Sequence, residues 1–497
     1  MPSIFNERPR SVARRIAWQA RTRFRQAGAL VILACASATG SFWLPGAVAE
    51  DEPAVPAASS EPDGELLKMV LDLLGEKDKD LRALGFDQVR TEVKGAAATR
   101  EIAAQLRKLA PEAQIGLLSA LADRGDPAAK PEVKFVLASS PDIPVRAAAI
   151  SALGALGNVE DVGPLLQRLS GRSEAEHDAA QRSLVRLAGD EVSDRIASCL
   201  ELTHYETVTA RIVEILAERR ALAAVPAILA RAADDDPAVR AVAVKALAEL
   251  ATPEHLPGLV RVMLVSAPGA EREALEKCVM QICNRGEGNQ DRSKPLLAAL
   301  DALSPDERLI MLPTLGRVGG DAAMSAIDEA LADQDAHRHE VGVRALCNWP
   351  DASVAPRLIK LANDTAQPAA LRALALSALI RVAPLPDKRP DAERLELLER
   401  VMAMCTRDED REQVIRRARA IRTIDTLRFL VPYLDQPQFA QQACESIVEL
   451  AHHRGLREPN KKEFDPVLDR VIATSKDAVV VERAGRYKKD QTWVRPK

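Results

Sequence analysis

From Pro237 to Leu250 the chain reads PAVRAVAVKALAEL, and Val239, Ala243, Ala246, Leu247 and Leu250 fall on one face of a 3.6-residue period. Asp234, Asp235 and Asp236 stand directly before it. Aspartate at a helix mouth accepts hydrogen bonds from free backbone N–H groups, and its charge suits the positive end of the macrodipole. Pro237 fits the first turn, where its missing N–H costs nothing. The pattern occurs earlier in SSPDIPVRAAAISALGAL (139–156), where Val145, Ala149, Ala152, Leu153 and Leu156 hold the same offsets. Leu153 and Leu247 lie 94 residues apart, three units of about 31.

With that leucine as anchor, nine equivalent positions follow one another: Leu121, Leu153, Leu184, Leu216, Leu247, Val279, Leu315, Leu346 and Leu379. The residue before each anchor is small in every case but Ile215, as close approach of a neighbouring helix requires. Pro131, Pro164, Pro226, Pro257 and Pro356 each open a further apolar segment. The repeating unit is therefore helix, turn, helix, with proline starting one helix and an acidic turn leading to the other. Alternation of period two is nearly absent, KDAVVVERA (476–484) coming nearest, so the chain is expected to be all-α. Its aromatic content of 3% agrees, because alanine-rich stacked helices need few large rings.

Asp-Pro-x-Val-Arg followed by Ala-x-x-Ala-Leu, as in DDDPAVRAVAVKALAEL, resembles the HEAT-repeat family, above all the short HEAT-like repeats of the phycobilin-lyase type. The resemblance covers residues 75–385 and, more loosely, 385–485. HEVGVRALCNWPDASVAPRLIKLA (339–362) is also similar to HEAT arrays of secreted bacterial proteins. The resemblance implies an α-α superhelix, a HEAT-like α-solenoid of about ten to twelve helical pairs. It implies that the Val-Arg helix is the inner one, and that Asp and Arg ladder between repeats. Asp142, Arg146, Asp236, Arg240 and Arg372 are on that account structural. Polar positions of the inner helices, such as Ser151, Lys245 and Glu249, become candidate contacts on a concave surface.

The ends differ from the array. Residues 1–49 carry seven arginines against one acid, Glu7, and 27–49 carry no charge. AGALVILACASA, then LPG and AVA before Glu50, have the form of a signal peptide cut after Ala49. An uncleaved anchor with the arginines inside, or lipidation at Cys35, are the alternatives. Each would place the rest of the chain outside the cytoplasm, in the periplasm or secreted. Residues 50–65 form an acidic, Pro-rich linker expected to be disordered. An N-terminal array is expected over 66–283, a loop or joint over 284–305, a C-terminal array over 306–485 and a frayed basic tail over 486–497. The whole chain has net charge −4, so the part after the leader carries about −10. An acidic surface disfavours nucleic acid as a partner.

Candidate chemistry is sparse. Six cysteines follow the leader, without a Cys-x-x-Cys pair, and Cys278 occupies a small-residue slot; buried thiols are expected. A related HEAT-type enzyme, deoxyhypusine hydroxylase, uses four His-Glu pairs to bind iron, and only His339-Glu340 has that form here. His452-His453 ends an apolar helix, where imidazole suits the negative macrodipole end. LGRVGGD (315–321) reads as a turn rather than a dinucleotide fingerprint. No phosphate loop or nucleophile elbow occurs. No catalytic, metal or cofactor residue is therefore assigned, and no cofactor is expected. The expected function is an extracytoplasmic, non-catalytic scaffold or adaptor for a protein or envelope component. The alternative is an enzyme or accessory subunit acting on an extracytoplasmic polymer.

Overall fold

The computed structural model describes residues 64–92, 94–202, 206–285 and 291–493. The leader, with its signal-peptide, anchor and Cys35 alternatives, and the linker up to residue 63 lie outside the described residues. Among those described, 27 helices form and no strand. With the four-residue helix Arg454–Arg457 set aside, the helices make thirteen consecutive pairs, from Gly64–Gly75 with Lys79–Thr91 to Lys461–Thr474 with Ala478–Lys488. That is one pair above the expected range. The chain divides into two compact units, five pairs up to Ala224 and eight from Val225 onward.

Within each unit the second helices of successive pairs pack directly on one another. All nine anchors lie on these helices, and each is at most 1% exposed. The small position before the anchor is buried in all nine cases. The same series extends back to Val89, also fully buried, 32 residues before Leu121. How close the helices come is shown by Gly154, where an added Cβ would stand 2.7 Å from the Cα of Ser183 in the small slot of the next pair. The Ser183 hydroxyl donates to the Ile150 carbonyl at 2.9 Å, and Ser446 repeats the contact at Ile415 at 3.0 Å. A small side chain thus both admits the neighbour and satisfies its own buried hydroxyl.

The recurring prolines sit in the first turn of the first helix of a pair, as in Lys130–Ser139 and Leu256–Val265. Each of these helices is preceded by a 3-10 turn, for instance Pro127–Ala129 and Pro253–His255, which the sequence pattern had not indicated.

Two expectations need correction, the joint and the basic tail. The joint placed at 284–305 contains a helix, Lys294–Leu300, with Leu296 and Leu300 buried. Its polar approach has a structural task. Asp291 accepts from Ala322 N at 2.7 Å, and Ser293 Oγ accepts from Ala323 N at 3.1 Å, so the pair caps the helix Asp321–Ala332. Gly319 and Gly320 of LGRVGGD form the turn before that helix, with φ of 71° and 114°, a region glycine enters without strain, while Gly316 lies within the preceding helix Pro305–Val318.

The segment nearest to a strand, 476–484, is helical. Asp477 accepts from Val479 N at 2.7 Å, and Val480, Ala484 and Tyr487 are buried at helical spacing. Nor is the basic tail frayed as far as it is described. Tyr487 is 2% exposed and its hydroxyl meets His452 Nδ1 at 2.9 Å, while Lys488 pairs with Asp469. The ring of Trp493 lies under the Arg483 guanidinium, 5.0 Å from its centroid. One buried aromatic therefore anchors a stretch whose composition alone looks solvated.

Candidate binding surface

The acidic turn and the arginine behind it are resolved clearly at Asp236 and Arg240. Asp236 Oδ1 accepts from Ala238 N at 2.8 Å and Val239 N at 3.0 Å, the cap that the sequence implied. Asp142 differs, making no side-chain cap bond. The ladder partner of each arginine is a glutamate rather than an aspartate. Arg146 reaches Glu176 at 2.7 Å, and Arg240 reaches Glu271 at 2.6 Å, both in the first turn of the next pair's second helix. Aspartate is held to its own helix mouth, whereas glutamate is one methylene longer and can cross between pairs. Arg372 occupies the same register, but its buried Nε has no hydrogen-bond partner.

These arginines belong to a longer row. Of the ten positions seven residues before an anchor, counting that before Val89, seven share one contact: Arg82, Gln114, Arg146, His177, Arg240, Arg308 and His339. Each places a side-chain nitrogen 2.6–2.9 Å from a carbonyl at or just past the end of the first helix of its own pair. Helix ends leave carbonyls without intrahelical partners, and a donor there closes the turn. His339, of the single His-Glu pair, to which no metal role was assigned, is a turn-closing donor to Leu331, and Glu340 pairs with Arg344 at 2.6 Å. A polar donor at a fixed offset from the anchor is present in the sequence, but its identity alternates among arginine, histidine and glutamine, so no single residue type marks it.

A second arginine set caps the neighbouring pair. Arg124 donates to Val89 O at 3.0 Å, Arg219 to Leu184 O at 2.7 Å and Arg381 to Trp349 O at 2.7 Å. Burial lowers the pKa of all three guanidiniums, which still remain charged at any ordinary pH.

One ion cluster is built on a fully buried carboxylate. Asp161 has no exposed surface and accepts from Lys130 at 2.5 Å, Lys134 at 2.6 Å and Asn158 N at 2.9 Å. Burial alone would raise its carboxyl pKa, but the two ammonium groups and the Asn158 amide outweigh it and hold it below the ordinary range. The cluster ties the turn at 158–161 to the helix Lys130–Ser139.

The cysteines are equally closed. Burial pushes the thiols of Cys278, Cys283 and Cys347 up to about 12, and those of Cys405 and Cys444 up to about 11. A thiol attacks as thiolate. Ellman's reagent at pH 8 is therefore expected to label none of these five in the native protein and all of them in guanidinium. Rapid native labelling at any of the five, located by peptide mapping, would contradict the burial. Among the described residues no three His, Cys, Asp or Glu side chains converge as a metal site, and no helix is long and apolar enough to cross a membrane.

The second helices also keep one row of side chains open to solvent. Two residues before the anchor, Ser119, Arg182 and Glu214 in the first unit and Lys245, Lys277 and Ser377 in the second are exposed. Of the three positions proposed from sequence, Lys245 and Glu249 are exposed and make no hydrogen bond or ion pair within the chain. Ser151 is half-buried and its hydroxyl is spent on the Ala147 carbonyl at 3.0 Å, so it drops from the surface set.

Residues 99–185 and 194–279 match the family model described as HEAT repeats. Among solved structures, the chain is similar to Kap95p, reported as inducing the switch loops of RanGDP to adopt the GTP-bound conformation. The identity is 12% over 85% of this chain and 56% of that one, with a TM-score of 0.42. The karyopherin Kap121p, bound to the extreme C-terminus of the protein phosphatase Cdc14p, is similar at 12% identity over 97% of this chain and 57% of that one, with a TM-score of 0.45. The chain thus spans little more than half the length of those karyopherins, and the likeness concerns the fold alone. No protein of curated function matches it.

Proposed function

We propose that this chain, a HEAT-repeat protein, is an extracytoplasmic scaffold that binds a protein or envelope component along the solvent-exposed row of its second helices. The carrying observation is the row two residues before the anchor. Its backbone is fixed by anchors at most 1% exposed, while its side chains are solvated, differ from pair to pair, and at Lys245 and Lys277 have no partner within the chain. Side chains of that kind cost nothing to the fold to vary and are free to recognise. The arginine-rich leader and the acidic remainder support export, and with it a non-nucleic-acid partner; the membrane is engaged only if the leader is retained.

The test is a photo-crosslinking amino acid placed at Lys245 or Lys277 in cells, with Arg261 on a first helix as the reference position. One recurrent protein captured from 245 and 277, and not from 261, is the expected result. Equal capture from all three, or none from any, would refute the surface. The N-terminal peptide of the recovered protein is expected to begin at Glu50; one from the arginine-rich segment would show the leader retained.

A further inference from the structure

The run RRARAIR closes the helix Asp408–Ala418 and the turn behind it. Arg416 is engaged, donating from Nε to Gln442 at 2.8 Å. Arg417, Arg419 and Arg422 are exposed, and their guanidiniums make no hydrogen bond or ion pair. Beside Arg422, the residues His453, Arg454, Gly455 and Leu456 complete an open depression of about 440 Å³. No carboxylate lines it. The acids closest in sequence are already committed, Glu449 to Arg483 at 2.7 Å and Glu458 to Arg454 Nε at 2.6 Å. The His453 ring meets that of His452 edge-on but makes no hydrogen bond or ion pair, and burial together with Arg422 and His452 lowers its pKa.

In a chain of net charge −4, the unpaired Arg422 guanidinium at the edge of this hollow, beside Arg454 whose pairing with Glu458 uses only Nε, has no structural partner. Three donors from two consecutive pairs line it: the whole planar fork of Arg422, which matches the two oxygens of a carboxylate or phosphate, the Arg454 nitrogens not used by Glu458, and the His453 ring. We propose that this depression binds an oxyanion, the phosphate or carboxylate end of a small ligand, between Arg422 and Arg454 with His453 as the third donor. Leu456 supplies an apolar wall for the rest of the ligand. The site lies apart from the row assigned to partner binding and does not depend on that assignment.

Calorimetric titration of the purified protein at low salt with inorganic phosphate, and separately with citrate, tests the site. One saturable site is expected for at least one probe, and the tighter of the two identifies the ligand's anionic group. Arg422→Ala removes one charged fork and should weaken binding by about tenfold or more. Arg428→Ala, an exposed arginine paired with Glu463 and outside the depression, should leave it unchanged. Unaltered melting of both variants will show that the fold persists. Absence of saturation by either probe up to about 10 mM overturns the proposal. So does equal affinity in Arg422→Ala, or equal weakening in Arg428→Ala, which would mark a diffuse charge effect.

Discussion

Leu247→Asp is expected to melt the first pairs of the second unit. Leu247 is fully buried, on a helix that packs against both Val225–Arg231 and Ala270–Asn284. Removing a buried leucine costs about 2–5 kcal/mol, and an unpaired carboxylate in its place adds to that cost. A loss of about 4 kcal/mol or more would consume much of the stability of an ordinary domain. Because each pair rests chiefly on its neighbours, the loss should show as an early, partial transition in the circular-dichroism melt. Lys245→Asp, two residues away on the same helix, is exposed and should stay within about 0.5 kcal/mol of the parent. If the two variants melt alike, the repeat register is wrong.

Asp161→Ala is the second large effect. It removes the shared acceptor of Lys130 and Lys134, whose side chains are 15% and 42% exposed. Breaking a buried pair costs about 3–5 kcal/mol, and the solvent access of Lys134 argues for the lower end, about 3 kcal/mol. Urea unfolding will measure it; a change below about 1 kcal/mol would show that the carboxylate is not enclosed. Lys134→Ala should cost far less, since Lys130 still neutralises the carboxylate. The pH dependence has a definite sign. The folded state holds this carboxyl below its unfolded value, so its stabilisation is complete above the ordinary aspartate pKa of about 3.9 and is lost as pH falls through the folded value. Acid unfolding of the parent should be steeper below about pH 4 than that of Asp161→Ala.

The repeat is legible in the chain itself. Anchor and small slot recur because every second helix must present the same buried edge to its neighbour, and a one-dimensional stack writes that demand into the chain at fixed spacing. Hence Leu121 to Leu379 were all placed correctly from periodicity. The proline-opened helices and the Asp236 cap were legible for a similar reason: both are local devices, satisfied within one turn of backbone. The arginine, histidine and glutamine seven residues before the anchor were also present in the sequence, but chemical identity varies there while only the ability to donate is kept.

Tertiary structure alone decided what depends on neighbours across pairs. Glu176 and Glu271 as ladder partners, the enclosure of Asp161, and the burial of Tyr487 in a tail that reads as solvated are all set by contacts some 30 residues away. So is the hollow at Arg422 and His453. Its residues lie about 30 apart in sequence, and whether their charges are neutralised depends on which acids other arginines have already taken. Periodicity reports which face of a helix is buried; it does not report which partner a charged side chain finds once the helices are stacked.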